Sequence, residues 1–136
     1  MPIPTDIYNR IISAKMFIDE NFHQPLNLEH ISSKAFLSPF HFHRLFSRIY
    51  KKTPHKYLTL KRIERAKELL SQNRNVTEVC NEVGFESIGS FSTLFKKENG
   101  IAPQYYRNFA HSKKQKEITE PASLIPNCFI QQMNCS

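Results

Sequence analysis

The sequence has 136 residues, a formal net charge of +7 and 40% hydrophobic residues, which predicts one small basic domain with a hydrophobic core. It contains no apolar run of the ~20 residues that a membrane helix needs, so we expect no membrane segment. Residues 1–6 show no basic region followed by an apolar one, so we expect no signal peptide. Its three cysteines include no closely spaced pair, which argues against a disulfide scaffold and fits a reducing compartment such as the cytoplasm.

Apolar residues recur at helical spacing in residues 6–22, which predicts a first helix. Pro25 then interrupts the pattern, and Asn27 is a favourable cap for a short second helix at about residues 28–35. The turn that follows, residues 35–37, contains no glycine. The sequence therefore leaves the backbone conformation of this turn open.

Residues 38–46 predict a third helix that has two different faces. Ser38 is a favourable N-cap and Pro39 suits the first helical position, so we place the helix at residues 39–50. The core side of this helix consists of Phe42, Leu45, Phe46 and Ile49. The opposite side consists of Phe40, His43, Arg44 and Ser47. Such a face can read base edges in a DNA major groove, but it can equally be an ordinary solvated surface.

A shift of 49 residues, from Phe46 to Phe95, overlays part of the chain on itself. The aligned residues are Ala35, Phe36, Ser38, Phe42, Leu45, Phe46, Pro54 and Tyr57, which match Gly84, Phe85, Ser87, Phe91, Leu94, Phe95, Pro103 and Tyr106. These positions include caps, core residues and the proline after the helix, so the pattern predicts two copies of one supersecondary unit. A short helix, a tight turn and a second helix form a helix-turn-helix, although a repeated hairpin used only as a scaffold has the same pattern.

A long helix at residues 54–71 is predicted between the two copies, with Ile63, Ala66, Leu69 and Leu70 on its apolar side. In the second copy, Gly84 and Phe85 form the turn and residues 87–98 form the second exposed helix. A last short helix is expected to begin at Pro103 and to end near Phe109.

Positive charge is concentrated in one part of the chain. Residues 38–67 contain nine Lys and Arg residues and one acidic residue, a net charge of +8. Residues 68–110 contain four Lys and Arg residues and five acidic residues, a net charge of −1. Because DNA affinity depends largely on phosphate neutralisation, we expect the first copy to supply most of the affinity for a nucleic acid.

Together these motifs resemble the AraC/XylS family of bacterial transcription regulators, through the DNA-binding domain of that family. The resemblance covers about residues 8–109 and rests on residues 38–46, 62–66, 69–70, 84–97, Gly100, Pro103, Tyr106 and Arg107. It implies an all-α fold of about seven helices, in which two helix-turn-helix subdomains are joined by a central linker helix. We therefore expect a double helix-turn-helix domain at residues 1–110 and a loosely ordered tail at residues 111–136.

The resemblance also implies the function and the site residues. The function is sequence-specific binding of double-stranded DNA to regulate transcription in the bacterial cytoplasm, at the nucleoid, more often by activation and with contact to RNA polymerase. The candidate base-reading residues are Phe40, His43, Arg44, Ile88, Gly89, Ser92 and Thr93, of which Gly89 has no side chain to read with. The candidate phosphate contacts are Ser38, Arg48, Lys51, Arg62, Ser87 and Lys96.

The two copies differ in sequence, so one chain is expected to read an asymmetric DNA site as a monomer, unless it belongs to a larger protein with an effector domain. The alternative is a general nucleic-acid or protein-interaction module without base specificity, which predicts no preference for a particular duplex. RNA is a poorer fit, because its A-form major groove is too narrow for these helices.

Neither an enzyme nor a cofactor or metal site is expected. No nucleophile, base and acid converge in the sequence. His41, His43 and His55 are close in sequence, but His41 and His43 point to different helix faces and no cysteine or carboxylate completes a ligand set. In the tail, residues 128–133 are read either as part of a loose segment or as a short strand or docking segment.

Overall fold

The structure, a computed structural model, describes residues 2–119, with side chains through residue 113. In this part of the chain the regular elements are seven helices. They are α1 (Thr5–Asn21), α2 (Leu28–Ser33), α3 (Pro39–Tyr50), α4 (Pro54–Ser71), α5 (Val76–Glu82), α6 (Ile88–Asn99) and α7 (Pro103–Thr119). The predicted all-α class and number of helices are confirmed. Among the described residues, no helix has the length and apolar character needed to cross a membrane.

The chain divides into two compact units, and the boundary along the sequence falls within α4, between Glu64 and Arg65. Unit 1 contains α1, α2, α3 and the first part of α4. Unit 2 contains the rest of α4 together with α5, α6 and α7. Each unit therefore holds one of the two predicted helix-turn-helix pairs, α2–α3 in unit 1 and α5–α6 in unit 2.

Unit 1 has its own hydrophobic core, around which α1, α2 and α3 pack against one another. The core consists of Ile11, Ala14, Ile18, Ile31, Ala35, Phe42, Phe46 and Leu58. Phe42 and Phe46 are completely buried, as the helical spacing predicts, and each buried ring contributes roughly 1.5–3 kcal/mol. Burial of this side of α3 forces the opposite side to face outward.

Side-chain caps set the starts of α2, α3 and α6. The Asn27 side-chain oxygen accepts a hydrogen bond from the backbone N–H of His30, at 2.8 Å. The Ser38 hydroxyl accepts one from the backbone N–H of His41, at 3.2 Å. Ser87 does the same for Ser90 at the start of α6. These bonds satisfy N–H groups that have no partner inside the helix, so the capping predictions at Asn27 and Ser38 are confirmed.

A polar clasp holds α4 against α1 in unit 1. The Tyr57 hydroxyl donates to Asp19, which also pairs with Lys15 at 2.8 Å and with Lys61 at 3.7 Å. Burial and the hydrogen bond to Asp19 raise the pKa of Tyr57. The Asp19 carboxylate is partly buried, which alone would raise its pKa, but the hydrogen bonds from Lys15 and Tyr57 and the two lysine charges lower it.

Unit 2 repeats the arrangement with a different set of side chains. Its buried residues are Ala66, Leu69, Leu70, Val79, Cys80, Val83, Phe91 and Phe95. The aromatic rings of Phe91, Phe95 and Tyr106 pack in sequence, with centroids 5.7 and 5.4 Å apart. Cys80 is buried in this core as a small apolar residue, and burial raises the pKa of its thiol.

The repeat is offset by one residue at the turn. Phe36 adopts a left-handed conformation with a φ of 55°, and its structural counterpart is Gly84, with a φ of 100°. One position earlier, Ala35 and Val83 are both completely buried. The alignment of Ala35 with Gly84 is therefore wrong at this point, because the left-handed residue lies two positions before the N-cap Ser38 in the first turn and three positions before the N-cap Ser87 in the second. A constant shift in sequence does not detect such an offset.

The last helix is longer than predicted. α7 continues past Phe109 through Thr119, the last described residue, because no glycine or proline follows Pro103 within it and residues 110–119 include good helix formers. The expected division of the chain at residue 110 falls inside this helix and stays a prediction. Residues 120–136, with the segment 128–133 predicted as a strand or docking segment, lie outside the described residues.

Candidate nucleic-acid interface

Three of the exposed side chains of α3 are the predicted base-reading residues of this helix. Phe40, His43 and Arg44 are all exposed, and Phe40 retains 73% of its accessible surface. We call these three residues the α3 reading face. They are brought together because α3 buries Phe42 and Phe46 on its other side, so the predicted placement of all three is confirmed as far as their exposure is concerned.

Ser47 does not belong to this face, although the spacing places it there. Its hydroxyl oxygen is buried and has no hydrogen-bond partner among the described residues. The Ser47 hydroxyl is thus not accessible to a ligand in this conformation.

Arg44 rests on the ring of Phe40. The guanidinium carbon lies 5.8 Å from the ring centroid, within the range of a cation–π contact. Among the described residues, Arg44 takes part in no hydrogen bond or ion pair, so its donor groups are open to a ligand. A guanidinium with free donors matches the O6 and N7 acceptors of guanine in a major groove.

The start of α3 is suited to an anion. Ser38 accepts the capping hydrogen bond, so its hydroxyl hydrogen remains available as a donor. The N–H groups of the first helical turn add the positive end of the helix dipole. Ser38 is exposed at this end, and the arrangement agrees with the predicted phosphate contact.

Basic side chains surround the far end of α3. Arg48, Lys51 and Lys52 are exposed. Lys51 ends the helix in a left-handed conformation, with a φ of 60°. Lys51 and Lys52 form no ion pair with a described residue, so their charges are not neutralised by the protein. In contrast, Arg65 in unit 2 pairs with Glu68 at 2.7 Å.

Arg62 has a structural role that the sequence reading missed. Its Nε donates to the carbonyl of Phe22 at 2.7 Å and its Nη2 to that of Gln24 at 2.9 Å. These bonds fasten the segment after α1 to α4 and occupy two of the guanidinium nitrogens. A phosphate contact by Arg62 stays a prediction. No local signal indicates such bonds, because the partners are 38 and 40 residues apart.

The outward side of α6 is smaller and less polar. Gly89 and Thr93 are exposed, Ile88 keeps 47% of its surface and Ser92 is half-buried. We call these four residues the α6 reading face. Ser87 and Lys96, the predicted phosphate contacts of this unit, are exposed at the start and in the last turn of the helix. The four residues of the α6 reading face, the N-cap Ser87 and Lys96 thus all lie along α6. α6 itself contains no arginine.

Two other features bear on ligands. Phe36 has a left-handed backbone conformation in the turn before α3, and its side chain is 81% exposed. The absence of a glycine from this turn was the feature of the sequence that indicated an unusual residue there. Among the described side chains, no three His, Cys, Asp or Glu residues lie close enough to hold a metal ion. His41 and His43 are both exposed on α3, without a third ligand beside them.

Comparison with known proteins identifies the family of this fold. A model of a helix-turn-helix domain matches residues 31–108, which is more than half of the chain. A solved transcriptional regulator from Chromobacterium violaceum, described as one of the AraC-type DNA-binding domain-containing proteins, has a TM-score of 0.69 and 25% sequence identity, and the match covers 76% of this chain and 94% of that one. The chain belongs to the AraC/XylS family. The match to this family's DNA-binding domain includes α3, α4, α5 and α6.

Two further proteins define the extent of the likeness. The bifunctional transcriptional activator and DNA repair enzyme AdaA of Bacillus subtilis is 35% identical over 95 residues, which are 69% of this chain and 45% of AdaA. The DNA-binding domain of AdpA, solved in complex with a target DNA, has a TM-score of 0.74 at 23% identity, with 78% of this chain and 96% of that one covered. The chain spans less than half the length of the curated relatives it matches.

Proposed function

We propose that this chain is the DNA-binding part of a bacterial transcription regulator and that it recognises a specific sequence in double-stranded DNA. The observation that supports the proposal most is the α3 reading face, an exposed aromatic, histidine and arginine on a capped helix of an AraC/XylS domain. An α-helix with this face fits the major groove of B-DNA, where each base pair has a distinct set of donors and acceptors.

In this proposal the basic groups provide affinity and the two reading faces provide specificity. Ser38, Arg48 and Lys51 neutralise or hydrogen-bond phosphates around α3, while Ser87 and Lys96 do so around α6. Arg44 reads guanine, and Ile88 contacts a thymine methyl group. Because the two faces carry different residues, one chain reads an asymmetric site.

The effect on transcription is inferred from relatives. AdaA is named a transcriptional activator, and the AdpA domain is described with a target DNA bound. We infer activation through contact with RNA polymerase, by a regulator that works at the nucleoid in the cytoplasm and binds its site as a monomer. The proposal assigns no reaction to the described residues and requires no cofactor.

The competing function is a general nucleic-acid or protein-interaction module. The basic residues by themselves favour this general module as much as the sequence-specific regulator, since phosphate contacts carry no sequence information. It differs from the proposed function in one measurable respect, because it predicts affinity that depends on salt but not on the order of the bases.

In vitro selection from a randomised duplex DNA pool separates the two. We expect the wild-type chain to enrich an asymmetric site, and the variant Arg44→Ala to lose the preference in one half of that site only. Arg10→Ala is the matched control, since Arg10 is an arginine of α1 that pairs with Asp6 and lies outside both reading faces. A wild-type selection that enriches no sequence would establish the general module instead.

A further inference from the structure

The contact between Phe40 and Arg44 lies within one turn of α3. Residues four apart on a helix are neighbours on its surface, and long side chains lean towards the N-terminus of the helix. Arg44 therefore lies back over Phe40, and its guanidinium carbon is 5.8 Å from the ring centroid.

The ring is the contact that restrains this arginine. Among the described residues, the Arg44 guanidinium has no hydrogen bond or ion pair, and both side chains are exposed. An unrestrained arginine samples many rotamers, and binding has to select the one in which its planar fork meets the base. A ring beneath the guanidinium reduces the number of conformations before DNA arrives.

Unit 2 provides an internal comparison. With the shift of 49 residues that holds for the reading helices, Phe40 corresponds to Gly89 and Arg44 to Thr93. Unit 2 thus has neither the ring nor the guanidinium at the matching positions of α6. An arginine held by an aromatic ring is a feature of the first reading helix alone within this repeat.

We propose that Phe40 is a positioning residue, whose ring holds the Arg44 guanidinium in the orientation that reads one guanine in the part of the site bound by unit 1. The proposal rests on the proposed function and specifies which residue makes the arginine selective. Phe40 then acts on base preference through Arg44, and its removal weakens the preference at the guanine that Arg44 reads.

The experiment is a double-mutant cycle read out as base discrimination. The guanine is first located as the position whose preference disappears in the Arg44→Ala selection. The ratio of Kd values for adenine and guanine at that position is then measured for the wild type, Phe40→Ala, Phe40→Tyr, Phe40→Leu, Arg44→Ala and the double variant Phe40→Ala/Arg44→Ala. Tyr105→Ala, which removes an exposed ring from α7, is the matched control.

We expect Phe40→Ala and Phe40→Leu to lower this ratio roughly twofold to fivefold, the range of a surface cation–π contact. Phe40→Tyr keeps an aromatic face and should retain the ratio. The double variant should discriminate no less than Arg44→Ala alone, and Tyr105→Ala should match the wild type. Because Phe40 is exposed, its truncation leaves the core intact, which circular dichroism verifies for each variant.

Three outcomes overturn the proposal. If Phe40→Ala lowers discrimination equally with and without Arg44, or acts at a different base pair, the ring contacts DNA by itself. If Phe40→Ala leaves the ratio unchanged while Arg44→Ala abolishes it, the arginine needs no support, although the proposed function stands. If the wild type enriches no sequence at all, the proposed function fails and the positioning role fails with it.

Discussion

Phe36 and Gly84 occupy the same left-handed position in the two helix-turn-helix turns, with φ values of 55° and 100°. The left-handed backbone conformation is sterically unfavourable for a residue with a Cβ atom, whereas glycine adopts it without this cost. Phe36 does not recover this cost by packing, because its side chain is 81% exposed. The first turn is therefore a strained copy of the second.

Replacement of Phe36 by glycine should stabilise the protein. Relief of the left-handed conformation is expected to raise the free energy of unfolding by about 1 kcal/mol, somewhat less than the full steric cost because glycine also adds entropy to the unfolded chain. Urea unfolding followed by circular dichroism measures the change. Gly84→Ala is the opposite control and should destabilise the protein. If Phe36→Gly instead lowers the free energy of unfolding, the Phe36 ring contributes packing.

Gly89 lies within α6 and is a second stabilising position. A Cβ atom added there would meet nothing within 4 Å, so alanine fits without a clash. Gly89→Ala should raise the free energy of unfolding through the lower backbone entropy of alanine, by less than the ~1 kcal/mol of an interior helical glycine, because Gly89 is the second residue of α6. Thermal unfolding tests this, with Gly100→Ala as the control that should destabilise, because Gly100 has a φ of 84°.

The Asp19 clasp should make stability depend on pH. The pKa of Asp19 is lowered in the folded protein. The stabilising effect of its ionised form is therefore fully present above the pKa of an aspartate in the unfolded chain, ~3.9, and is lost as the pH falls through the pKa of Asp19 in the folded protein. Asp19→Asn should lower the free energy of unfolding at pH 7 by about 1 kcal/mol. Chemical denaturation from pH 7 to pH 2 measures the free energies of unfolding of the wild type and of Asp19→Asn, which should become equal at the acidic end. A difference that persists there would mean that the substitution acts through packing and not through the charge of Asp19.

Lys51 should contribute to DNA affinity without contributing to specificity. Lys51→Asn removes the charge and keeps a residue that tolerates the left-handed conformation of this position. If Lys51 contacts one phosphate, the slope of log Kobs against log salt concentration becomes less steep by about 0.9, uniformly across DNA sequences. Fluorescence anisotropy over a salt series measures this slope. Lys51→Arg retains the charge and should retain the slope.

Arg62 should behave as a structural residue. Arg62→Ala leaves the carbonyls of Phe22 and Gln24 without these donors, and we expect a loss of about 1 kcal/mol in the free energy of unfolding. Urea unfolding measures the loss, and the salt slope of DNA binding tests for a phosphate contact in the same variant. A slope that falls by ~0.9 with unchanged stability would return Arg62 to the phosphate role.

The sequence by itself determined the helices, their caps and the two sides of α3. These features depend on residues three or four positions apart, such as Asn27 with His30, Ser38 with His41, and Phe42 with Phe46. The physical interactions involved act within one helical turn, and the spacing of residue types is sufficient to predict them. The family resemblance followed from the same local motifs.

Tertiary structure decided the features that depend on distant residues or on an insertion. Arg62 finds its carbonyl partners about 40 residues earlier, and Tyr57 finds Asp19 38 residues earlier, so no local pattern marks either bond. The left-handed Phe36 follows from the packing of Ala35, which sets where the turn begins. Packing of whole helices fixes these positions because the free energy of burying a core outweighs the cost of strain at a single residue.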